Sequence, residues 1–225
     1  MMIRHCTRMV LLAAMAGVLS VNSTRGALTA DQARRIEAAI PNEARVAPKE
    51  ARRVLIWNTP FMDKCPHKGY CVPQAEHAMK LLGRKTGAYQ AVVSDDVAMY
   101  LPENLAKFDA IIMNNSNGQW IRPTEADMPR FKQYGDTQDA VEALLRKSLL
   151  EYVRNGGGIV AYHHAIGGNN GWPEFKELIG AGYWGHPWNE EVAIKLEEPD
   201  HPLLKAFDGA DFRIAEEIFQ FREPY

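Results

Sequence analysis

Apolar residues in this chain fall into short unbroken runs, and stretches of helical periodicity separate them. The first run is Val54, Leu55, Ile56 and Trp57, the pattern of a strand buried on both faces. Similar runs predict strands over 89–93, 109–113 and 159–162. Each stops at polar or turn-forming residues: Asn58, Ser94 with Asp95, Asn114 with Asn115, and His163 with His164. Between them lie helical stripes. Val141, Leu144, Leu145, Leu149, Tyr152 and Val153 form one face at a period of 3.6, which predicts a helix over 138–154. Pro73 opens a helix expected to run to Leu82 and to stop at Gly83. Pro173 opens a shorter one over 173–179. Asp31 is the expected cap of a helix over 31–40 in a polar lead-in segment, 24–50. Beyond 190 the pattern loosens, with strands expected over 191–196 and 212–221.

Strands alternating with helices imply an α/β fold: a flavodoxin-like open, mostly parallel sheet with helices on both faces. Ligands of such sheets bind at the carboxyl ends of the strands. That rule points to Asn58, Asn115, His163 and His164. Asn, Asp and Ser are ordinary turn residues, but two imidazoles directly after a buried strand are not.

The amino terminus has the three parts of an export signal within residues 1–23. Arg4 and Arg8 are basic, Met9 to Val21 is an apolar run, and small residues follow. The run is shorter than the ~20 residues that span a bilayer, and no second one of that length follows. The expectation is cleavage and a soluble chain in the periplasm or outside the cell, with no membrane contact. Cleavage removes Arg4 and Arg8 and takes the net charge from −2 to −4. An acidic chain makes a poor partner for nucleic acid. Cleavage also removes Cys6 and leaves Cys65 and Cys71. An even pair in an exported chain favours a disulfide, with free thiols or a metal site as alternatives. Self-association into a homo-oligomer is left open.

Four histidines, at 163, 164, 186 and 201, share one stretch with Trp172, Trp184 and Trp188. Aromatic faces stack on sugars, and amides and carboxylates bind hydroxyls. No G-x-S-x-G elbow and no glycine-rich phosphate loop is present. Histidines with Glu216 or Glu217 could hold zinc with an open water position, although no close-spaced H-E-x-x-H or H-x-H occurs. No cofactor is otherwise expected.

Several segments, in order, are similar to the ThuA-like (trehalose-utilisation) family. They are the run at 54–57, His67 in the loop after it, and the run at 109–113. Next come Tyr152 and Val153 with Gly156, Gly157 and Gly158, leading to His163. Then follow Trp172 with Gly180, Trp184 with His186 and Pro187, and Asp200 with His201 and Pro202. Glu216 and Glu217 with Phe221 complete the set. The resemblance covers roughly residues 51–225 and implies a glutamine-amidotransferase-like fold. It places His163 where amidotransferases carry a nucleophilic cysteine, so thiol-based glutamine hydrolysis is not expected. It implies carbohydrate metabolism, with His163, His186, Glu217 and His67 as catalytic residues and Asn58, Asn115, Trp120, His164 and Trp184 as a sugar pocket. A non-catalytic sugar-binding module and a metal-dependent hydrolase are the alternatives. The Cys65–Cys71 loop and His164 depart from the family pattern. That pattern also continues beyond the Glu216 element, so the expectation is a fragment or a sheet lacking its last part.

Overall fold

The structure is a computed structural model and describes residues 28–59, 71–168 and 171–222. Four strands, β1 (Arg53–Asn58), β2 (Gln90–Ser94), β3 (Ala110–Asn114) and β4 (Gly158–Tyr162), form one parallel sheet in the order β2-β1-β3-β4. The expected open parallel sheet flanked by helices is present. In register, Ile56 lies beside Val93 on one side and Ile112 on the other, and Ile112 lies beside Val160. Parallel neighbours require crossovers, and helices supply them. They are α2 (Cys71–Thr86), α3 (Pro102–Leu105), α4 (Met128–Phe131) and α5 (Gln138–Arg154).

Side chains alternate across each strand. Leu55, Trp57, Ile111 and Met113 point into the main core, where Val141, Leu145 and Leu149 of α5 meet them. Val72, Ala75 and Leu81 of α2 are buried in turn, and α2 packs on β1, β2 and β3. The chain-leading helix α1 (Ala30–Ala39) rests on α2, where the Lys85 ammonium donates to the carbonyls of Glu37 and Ile40. Short α6 (Pro173–Ile179) follows β4. The chain then forms a long antiparallel ribbon, β5 (Gly182–Ile194) paired with β6 (Phe212–Arg222).

Several boundaries differ from the sequence pattern. Thr29, not Asp31, caps α1, through a capping box with Gln32. α2 begins two residues before Pro73 and runs through Gly83 to Thr86. Gly83 is no terminator: a Cβ there would sit 2.6 Å from the Tyr89 ring and carbonyl, so glycine permits a close helix–strand approach. β5 starts at Gly182, nine residues before the strand expected at 191. The expected export signal, 1–23, lies outside the described residues. Among the described residues no helix is long and apolar enough to cross a membrane.

Candidate functional site

The carboxyl ends of β1, β3 and β4 meet in a floor of uncharged amides. Asn114 Nδ2 donates to Asn58 Oδ1 at 2.8 Å and to the Val72 carbonyl at 3.1 Å. Asn58 Nδ2 donates to Glu76 Oε2 at 2.7 Å, and Lys80 stands 3.7 Å from the other Glu76 oxygen. Asn58, Asn114, Asn115 and Ser116 are fully buried. Burying so many polar groups is costly unless they are bonded. Asn115 Nδ2 and Ser116 Oγ nevertheless have no hydrogen-bond partner among the described residues.

Two strand ends turn through left-handed backbone, at Asn115 (φ 56°) and at His163 (φ 51°). This conformation is tolerable for asparagine and costs roughly 1–2 kcal/mol for most other L-residues. Such strain, where it persists, clusters at functional positions. The two turns are tied together. The Asn115 N–H donates to the Tyr162 carbonyl at 3.2 Å, and Asn115 Oδ1 accepts the His164 N–H at 3.4 Å. A 3₁₀ turn, His163–Gly167, follows. A Cβ on Gly167 would come within 2.8 Å of His164 Nε2, so glycine makes room for that imidazole.

The β5–β6 ribbon supplies the other wall. Its pairing shifts twice between Tyr183 and Trp188, and such bulges re-aim side chains. Glu217 Oε2 lies 3.7 Å from His163 Nε2, each side chain about a quarter exposed. That is ion-pair distance for a protonated imidazole but too long for a hydrogen bond. The Phe219 ring lies nearly parallel to His163 (centroids 5.2 Å, 29°) and to His186 (5.4 Å, 23°). His164 stands edge-on to Tyr183 at 5.0 Å and to Phe219 at 5.9 Å. Burial, and then the Glu217 carboxylate, pushes the Tyr183 phenol above its usual range. Burial, then Cys71 and Glu216, do the same for Tyr162. Both phenols therefore stay protonated at neutral pH and can donate. A cleft of about 560 Å³ opens beside His163 and Glu217, within the roughly 300–1,000 Å³ range of ligand pockets.

His163, His164, His186 and Glu217 thus gather around one phenyl ring, with Asn115 beneath them and Asn58 deeper in the floor. Two pocket expectations need correction. Trp120 is fully buried among Tyr100, Trp172 and Phe175, with no face open for stacking on a sugar. Trp184 is 65% exposed under the Arg222 guanidinium and does not line the cleft. His201 accepts from the Leu203 N–H and caps a surface turn. His67 and Cys65 lie outside the described residues, and so does the expected pairing of Cys65 with Cys71. Among the described residues no three His, Cys, Asp or Glu side chains are grouped to hold a metal ion.

Phe219 and Tyr183 were not singled out from the sequence, and Asn114 was named only as a strand end. Phe219 was within reach, because it stands two residues from Glu217 and shares its side of β6. Tyr183 carried no comparable signal, because the bulges that aim it are not written in the local pattern.

The model of the ThuA family, described as trehalose utilisation, matches residues 53–225. A crystal structure of a ThuA-like protein from Bacteroides uniformis ATCC 8492 superposes with a TM-score of 0.54 at 22% identity. The match covers 80% of this chain and 64% of that one, so the chain spans just under two thirds of that protein's length. At this identity the likeness speaks for the fold. No curated protein matches the chain.

Proposed function

The chain belongs to the ThuA (trehalose-utilisation) family, and from that premise we propose that it is an exported enzyme acting on a disaccharide, glycoside or keto-sugar derivative. In this reading His163 is the acid–base centre. The observation that carries it is the placement of the His163 imidazole. It follows β4 on a left-handed residue, 3.7 Å from the Glu217 carboxylate, at the edge of a cleft.

The chemistry follows from those groups. A neutral imidazole takes a proton from a hydroxyl or from water, and the imidazolium returns it to a departing oxygen. Glu217 stabilises the imidazolium and holds its orientation as the pair tightens around a ligand. Tyr183 and Tyr162 offer protonated hydroxyls, and the buried Asn115 side-chain carbonyl oxygen holds the His164 backbone in place. His186 acts from the ribbon side. A histidine at the strand end supplies no nucleophilic thiol, so acid–base chemistry replaces covalent thiol chemistry. The signal-like residues 1–23 and the acidic net charge support export and argue against a nucleic-acid partner.

The test is a panel of disaccharides, glycosides and 3-keto-glycosides incubated with the purified full-length protein, with products detected by mass spectrometry. The expected result is a new product from at least one compound. Calorimetric binding without any product would instead mark a sugar-binding module. Neither binding nor product would overturn the carbohydrate reading.

A further inference from the structure

We infer that Asn115 is a positioning residue that holds His163 in its left-handed turn and so sets the aim of the imidazole, a proposal that rests on the acid–base reading of His163 above and deepens it. His163 has φ 51° and Asn115 has φ 56°. Asparagine enters this region readily, because its short polar side chain bonds locally. A histidine there needs its surroundings to hold it.

The two backbone torsions of a residue set how the rigid peptide planes on either side of it are turned. For His163 those planes carry the Tyr162 carbonyl before it and the His164 N–H after it. Asn115 bonds to both. Its backbone N–H donates to the Tyr162 carbonyl at 3.2 Å, and its Oδ1 accepts the His164 N–H at 3.4 Å. Asn114 and Tyr162 are register partners, so the first bond continues the β3–β4 ladder by one step. The second closes over the turn. The His164 N–H needs an acceptor, which fixes the side-chain oxygen, not the nitrogen, on that side of the amide. One fully buried residue thus grips both planes at once.

The consequence falls on the side chain. With the turn held, the imidazole leaves β4 toward the ribbon. Its Nε2 lies 3.7 Å from Glu217 Oε2, and its ring stacks on Phe219 at 5.2 Å. Released into an extended or right-handed conformation, residue 163 would send its Cβ in another direction and carry the imidazole away from that carboxylate. Asn115 therefore acts on the reaction through His163 rather than by touching the sugar.

Asn115→Gly in the full-length protein removes the oxygen and keeps the left-handed backbone with its N–H bond. With a substrate found by the panel, kcat should fall about 10–10²-fold, the scale of loss when a reacting group is misplaced by about an ångström. KM should stay within about threefold and the melting temperature within a few degrees. In a His163→Ala background the same change should have no further effect on kcat, because the group being aimed is gone. A raised KM with kcat kept, or effects of the two substitutions that multiply, would make Asn115 an independent sugar contact and overturn the proposal. Two measurements need no substrate. In a crystal structure of Asn115→Gly, residue 163 should leave the left-handed region, and a φ still near 51° overturns the clamp. In the unmodified protein the His164 amide should exchange with deuterium at least about tenfold more slowly than an unprotected amide. Exchange at the unprotected rate overturns the clamp, whether or not the variant folds. If both results hold and no sugar is turned over, the carbohydrate reading fails and the clamp stands.

Discussion

The two ends of the parallel sheet are built from opposite materials. At the amino end the polar groups are charged and paired. Asp109 accepts the Arg53 N–H at 2.7 Å and the Arg52 guanidinium at 2.8 Å. Its backbone joins β1 on one side and β4 on the other, through the Arg53 carbonyl and the Gly158 N–H. The Tyr152 hydroxyl donates to the Phe108 carbonyl, and burial, with Asp109 nearby, pushes its phenol to about 12. At the carboxyl end the buried floor is built of amides, with histidines and the Glu76 and Glu217 carboxylates around it. Two turns there are left-handed, and buried polar atoms on Thr59, Asn114, Asn115 and Ser116 have no partner among the described residues. Paired charges hold the amino end together. Strain and unspent hydrogen-bonding capacity lie at the other end, where an open α/β sheet binds its ligands.

The largest expected effect separates chemistry from folding. His163→Ala should lower turnover by about 10²–10⁴-fold, the usual contribution of a positioned acid–base group. The melting temperature should stay within a few degrees. A collapse in folding instead would make His163 a structural residue and dissolve the contrast between the two ends.

Gly157→Ala tests the amino end. A Cβ there would lie 2.3 Å from the Tyr152 ring, which also packs against the core. Overpacking of this kind costs about 1–3 kcal/mol, or roughly 2–4 °C in Tm per kcal/mol for a chain of this size. KM for any substrate found by the panel should not move. A change in KM with an unchanged Tm would show that the two ends are coupled.

Strain at the carboxyl end can be read by comparing His163→Gly with His163→Ala, since both lack the imidazole. Glycine accepts the left-handed backbone and alanine does not. The glycine variant should be the more stable by about 1 kcal/mol in denaturant titration. Equal midpoints would mean that the left-handed turn stores no strain.

The smallest effect concerns acid. The Arg53 N–H, then the Arg52 guanidinium, hold the Asp109 carboxyl below its usual range. A carboxyl with a depressed folded value contributes its stability above its unfolded value, near 3.9. It loses that contribution as the pH falls through the folded one. Asp109→Asn should therefore lower Tm slightly at neutral pH and make its decline below about pH 4 shallower. The pair is exposed, so the change will be small. An unchanged acid limb would show that the clamp adds nothing measurable.

Local patterns located most of the sheet. The four apolar runs became β1 to β4 with shifts of about one residue, because a strand buried on both faces needs continuous apolar side chains. The helices over 138–154 and 173–179 have the expected bounds, since each carries its own stripe or its own proline start. Elsewhere neighbours in space overrode local signals. Gly83 continues a helix because Tyr89 presses against it. Trp120 is core because Tyr100, Trp172 and Phe175 enclose it. The early start of β5 is set by pairing with β6, and its first half carries glycine, proline and histidine rather than a strand pattern.

By itself, the amino-acid sequence determined the fold class, the order of strands and helices along the chain, and the exit of β4 onto His163. Each of these follows from periodicity and turn chemistry within about twenty residues. Only the tertiary structure decided that Glu217 and Phe219 come to that histidine, that Tyr183 and His186 gather on the same phenyl ring, and that Trp120 does not. Those placements depend on where a bulged ribbon folds back across the sheet, a contact between segments nineteen or more residues apart that no local period encodes.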